Sequence, residues 1–105
     1  MNRVSLPSRR LSVTSKLTHV TAADGQLHVI ATFGLDDRHQ VRELFCSSFK
    51  DGVDVRALVM DACVCLSLLL QHGYSVRELR DKLAPAPSSL LATLIDEAIK
   101  VEEGK

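Results

Sequence analysis

Three cysteines, four histidines and a cluster of arginines are the residues of this 105-residue sequence most able to do chemistry. Cys63 and Cys65 stand two apart. On a helix that spacing turns them to different sides, so they cannot close on one metal ion together. With Cys46 they make an odd count, and they read as small core residues kept reduced rather than as a disulfide framework. His19 and His28 fall on neighbouring strand segments, but a two-residue turn at Asp24-Gly25 sets His28 opposite Thr21 and His19 opposite Ile30, which separates them as a metal pair. His39 belongs to a turn, and His72 to a helix C-terminus, where a cation is favoured. No Ser/His/Asp set emerges from the chain order. The five glycines are isolated, so none opens a phosphate loop or a dinucleotide fingerprint. Glu43 and Asp61 are the acids expected beside apolar neighbours, with Arg42, Arg56 and Arg77 as candidate partners. The expectation is therefore a chain with no catalytic residue, no metal and no cofactor of its own.

The basic residues invite a different chemistry. Arg3, Arg9, Arg10 and Lys16 lie in the first twenty residues, which contain no acid. They are candidate contacts for a nucleotide phosphate, a nucleic acid or an acidic surface. The alternative is a mobile solvated arm over residues 1–10, since no aromatics are interleaved for base stacking. Lys+Arg and Asp+Glu balance at 13 each, which argues against a surface built throughout to track a phosphate backbone. The longest apolar run, Ala62–Leu70, is broken by Ser67 and is too short to span a bilayer. The first residues hold no apolar stretch of the kind that opens a secretory leader, so the expected location is cytoplasmic.

The elements that must position these residues follow from periodicity. Alternation from Leu11, with Val13, Ser15 and Leu17 on one side, predicts a first strand. Leu27, Val29, Ala31, Phe33 and Leu35 predict a second, and Val41–Phe49 a third, with Val41, Phe45 and Phe49 sharing a side. Val53–His72 has no Gly or Pro and ends at Gly73, which predicts a helix of about five turns. Val55, Leu58, Val59, Ala62, Leu66, Leu69 and Leu70 form its broad apolar face, expected to cover the sheet. Ala57, Met60, Val64 and Leu68 form a second apolar stripe that also needs a cover, either a C-terminal helix or a twin subunit. Ser75 and Glu78 spell a capping box for a short helix. Ser88 or Ser89 caps a last one bearing Leu90, Leu91, Leu94, Ile95 and Ala98. The fold class is α+β: a three-stranded antiparallel sheet packed by a long central helix, then a short helix and a C-terminal helix, in a single domain over residues 11–105.

Order and spelling together carry a resemblance. Leu6-Pro7-x-Arg9-Arg10 leads to Thr14-x-Lys16, then to Asp24-Gly25, Val41-Arg42-Glu43-Leu44-Phe45, Lys50-Asp51-Gly52, Ser67-Leu68-x-Leu70-Gln71-x-Gly73 and Val76-x-Glu78. This resembles the TSCPD-type domain of the C-terminal region of adenosylcobalamin-dependent (class II) ribonucleotide reductases, here as a short free-standing chain. The Thr-Ser-Cys-Pro-Asp signature itself is not spelled; its place reads Ala86-Pro87-Ser88-Ser89-Leu90. Arg42 stands where the family usually has glycine.

The resemblance implies a non-catalytic accessory or regulatory module tied to ribonucleotide reductase and deoxyribonucleotide supply. Its expected partners are a reductase large subunit or a second copy of the chain, the latter through the Ala57/Met60/Val64/Leu68 stripe. The family enzymes use adenosylcobalamin, whose barrel region this sequence does not spell. Two other functions compete: a small nucleic-acid or nucleotide-binding domain, and a component of ribonucleoside-diphosphate reductase active only with another subunit.

Overall fold

A computed structural model describes residues 11–20, 26–47, 53–84 and 89–104, save for the side chains at 18–20, 26–27, 47 and 53–56. Three strands, β1 (Leu11–Val20), β2 (Gln26–Leu35) and β3 (Val41–Ser47), form an antiparallel sheet in the order β1-β2-β3. Three helices follow: α1 (Val53–Gln71), α2 (Val76–Lys82) and α3 (Leu90–Glu102). The fold is the expected α+β arrangement. Phe49 and the arm of residues 1–10, with Arg3, Arg9 and Arg10, lie outside the described residues.

The register of the first two strands departs from the sequence expectation. Leu17 lies opposite Val29, Val13 opposite Phe33, Thr18 opposite His28 and His19 opposite Leu27. A two-residue turn at Asp24-Gly25 would have shifted this pairing by an odd number and sent the two apolar sets to opposite faces. The observed register puts Val13, Leu17, Val29, Ala31, Phe33 and Leu35 on one face, so burial overrides the local turn signal.

The third strand switches face through a β-bulge. Leu35 pairs with Val41 and Gly34 with Glu43, so Arg42 is the extra residue. Beyond it Leu44 and Cys46 turn inward with Val41, whereas Phe45, expected on the same side as Val41, is exposed.

The helix caps follow the sequence. Ser75 and Glu78 make both bonds of a capping box at α2, and Ser89 accepts from Ala92 N–H at the start of α3. Gly73, at φ 105°, closes α1: its N–H donates to Leu70 and that of Tyr74 to Leu69, the paired bonds of a Schellman end.

The core lies between the apolar face of the sheet and the helices. Phe33, Leu35, Leu44, Leu70, Leu94 and Ile95 are its largest fully buried side chains. Each such burial contributes about 1.5–3 kcal/mol. α3 packs on all three strands and on α2, while α1 packs on β3, an edge strand. α3 therefore does not serve as the cover for the second stripe of α1.

Candidate functional site

α1 is rotated away from its sequence expectation. Leu58 and Leu69, expected on the sheet-covering face, are exposed, whereas Ser67 and Gln71, which are not among that face's residues, are each only 5% exposed. A helix lying along an edge strand meets main-chain N–H and C=O groups as well as side chains. Ser67 turns inward to meet them: its hydroxyl accepts from Leu44 N–H at 3.0 Å and donates to the Leu44 carbonyl at 3.2 Å. Val59, Cys63, Leu66 and Leu70 complete the inward side.

The outward side of α1 is the most unusual surface of the described residues. Leu58 is 69% exposed, Val64 50%, Met60 46% and Leu68 44%, with Ala57, Leu69 and Cys65 also exposed. At 100° per residue these positions span roughly half the helix circumference. Asp61, exposed in the middle of that arc, is the one charge between Ala57 and Gln71. A contiguous exposed apolar surface of this kind is uncommon on a folded protein that works alone. The candidate interface residues Ala57, Met60, Val64 and Leu68 thus lie together on one open face, as the spacing predicts. Asp61 was expected beside apolar neighbours as a buried, paired acid, but faces outward.

One border of this face is a groove of about 260 Å³ between α1 and β3, lined by Phe45, Cys46, Met60, Asp61, Cys63 and Val64. Inside it the Sγ atoms of Cys46 and Cys63 lie 3.9 Å apart in a thiol–thiol hydrogen bond. Neither the strand nor the helix pattern pairs them; only the rotation of α1 and the face switch of β3 do. A second groove, of about 440 Å³, lies at the other end of α1 between Leu69, Tyr74, Leu79 and Lys82.

The remaining polar residues build structure. Asp36 Oδ1 accepts from the amides of Arg38 and Gln40, and Asp36 Oδ2 takes Arg42 Nε at 3.0 Å. The Arg42 guanidinium also donates to the carbonyls of Leu70 and Tyr74 and to Gln40 Oε1. Arg42 thereby ties the β2–β3 turn to the end of α1 and partners Asp36 instead of Glu43. Burial resists the charge on Asp36, but the Gln40 and Arg38 amides and the Arg42 guanidinium outweigh it and hold the carboxyl below its usual range. Glu102 accepts from Val41 N–H at 2.7 Å, yet burial dominates and pushes its carboxyl upward. Arg77 pairs with Glu103 rather than with Glu43 or Asp61. Gln71 Oε1 is buried without a hydrogen-bond partner among the described residues.

Glu43 is buried and folds over Gly34, its cross-strand neighbour. Of the candidate anion-binding residues, Lys16 is described: it is exposed on the face of the sheet opposite the core, beside Ile30. His28, Thr14 and Thr32 share that face. His39 Nε2 lies 3.2 Å from the Val101 carbonyl and His72 Nδ1 2.8 Å from that of Leu68, so both rings are held by main chain. No group of three metal-ligating side chains and no helix long and apolar enough to cross a membrane occurs among the described residues. No family model, curated protein or solved structure matches the chain.

Proposed function

We propose that this chain is a non-catalytic accessory module that works by docking the outward face of α1 onto a partner protein. The observation that carries this is the exposure of Ala57, Leu58, Met60, Val64 and Leu68 on one side of a helix whose opposite side is already packed. Leaving such side chains in water forgoes about 25 cal/mol for each Å² of apolar surface, which a partner recovers on binding.

The partner's chemistry follows from the same face. It presents apolar side chains and places a lysine or arginine against Asp61. A second copy fits less well. Two α1 helices packed about a twofold axis would bring two Asp61 carboxylates into one apolar seam, at a desolvation cost without a compensating cation. The resemblance to TSCPD domains makes a class II ribonucleotide reductase the first partner to test.

Binding of the labelled chain to a purified class II reductase, with light scattering on the chain alone, tests the reading. The expected result is a monomer that binds the reductase and loses that binding with Met60→Glu or Leu68→Glu. A stable dimer broken by those variants would assign the face to self-association. Reductase binding unaffected by them would move the docking site elsewhere.

A further inference from the structure

We infer that Cys46 and Cys63 form a redox-active dithiol, a modification site at which a peroxide closes an intramolecular disulfide between β3 and α1. The two sulfurs stand 3.9 Å apart, and a disulfide bond needs about 2.0 Å, so closure asks for a relative movement of about 2 Å. Both cysteines line the same groove between α1 and β3, which gives a molecule the size of hydrogen peroxide a route to them. Met60 and Val64 line that groove as well as the outer face of α1, so the route is open in the unbound chain.

A hydrogen bond already joins the two thiols, with Cys63 Sγ directed at Cys46 Sγ. Either sulfur can attack as the thiolate while the other resolves, and the chemistry is the same with the two exchanged. With Cys63 as the thiolate, the first step is attack of its sulfur on one peroxide oxygen: an S–O bond forms, the O–O bond breaks, and hydroxide leaves as water after taking a proton. In the second, the Cys46 sulfur attacks Cys63: the S–S bond forms, the S–O bond breaks, and a second water leaves with the Cys46 proton. Two thiols are oxidised by two electrons and one peroxide is reduced to two waters. Cys65, exposed on the other side of α1, has no cysteine partner in reach of this geometry.

The test is thiol counting on the full chain. Hydrogen peroxide is added at low molar excess, the protein is denatured in an alkylating agent, and the intact mass is measured. Three alkylatable thiols are expected before treatment and one after, with the unmodified pair mapped to a Cys46–Cys63 peptide and restored by dithiothreitol. Cys65→Ser should still close the bond, whereas Cys46→Ala and Cys63→Ala should not. Peptide mapping of the unmutated chain decides the matter even if a core variant fails to fold. Three thiols surviving peroxide, a bond through Cys65, a bond between two chains, or oxidation of Cys46 or Cys63 to a sulfinic acid without a disulfide would each overturn the inference.

Discussion

Ser67 and Leu44 are joined twice: the Ser67 hydroxyl accepts the Leu44 N–H and donates to the Leu44 carbonyl, completing both main-chain groups that β3 turns away from the sheet. Removing that hydroxyl leaves two buried polar groups without partners, at about 1–3 kcal/mol each. Ser67→Ala should therefore lower stability by about 2–6 kcal/mol and Tm by roughly 10 °C or more. Urea or thermal unfolding checks this, with Leu68→Ala beside it as an exposed neighbour expected to stay within about 0.5 kcal/mol.

Gly34 and Glu43 are coupled by space. A Cβ built on Gly34 would stand 2.6 Å from both Cγ and Oε1 of Glu43. Gly34→Ala should cost about 1–3 kcal/mol through overpacking. Adding Glu43→Ala should recover part of that loss, giving a favourable coupling in a double-mutant cycle.

The two perturbed carboxyls pull stability in opposite directions with pH. Asp36 is depressed, so its contribution is present above its unfolded value of 3.8 and is lost as pH falls toward its lower folded pKa. Glu102 is raised, so its contribution is full below 4.5 and lost as pH rises through its higher folded pKa. Asp36→Asn should flatten the acid limb of a stability–pH curve. Glu102→Gln, which can still accept from Val41 N–H, should remove the decline above pH 4.5 and leave the neutral protein at least as stable. Urea midpoints measured from pH 3 to 7 report both signs.

The outer face of α1 separates folding from docking. Met60 and Leu68 are each nearly half exposed, so Met60→Glu and Leu68→Glu should change monomer stability by no more than about 0.5 kcal/mol. Leu70→Ala, on the inner side of the same helix, should cost about 2–5 kcal/mol. Chemical denaturation of the three variants in parallel tests the rotation of α1 directly.

Much of the architecture was legible because its signals are local. The capping box at Ser75 and Glu78, the Gly73 end of α1 and the alternation of β2 need no knowledge of the rest of the chain. The β1–β2 register was not, because the turn chemistry of Asp24-Gly25 pointed one way and the apolar parity of Leu17 and Val29 the other. The orientation of α1 departs from its hydrophobic pattern for a related reason. Hydrophobicity alone ranks Leu58 and Leu69 above Ser67 and Gln71, but a helix on an edge strand must also satisfy main chain, and Ser67 does so. The Ala57/Met60/Val64/Leu68 stripe was readable from spacing, whereas the Cys46–Cys63 pair depends on that orientation and on the bulge at Arg42.

The guarded side of β3 has a consequence for how molecules of this kind can accumulate. β3 is the margin that α1 covers, and among the described residues no strand lies beside the far margin, that of β1. Two molecules meeting along that margin would make a doubled ribbon whose outer borders are both closed by α1. A third would find nothing to join, so strand-by-strand accretion ends at a pair rather than running on into a fibre.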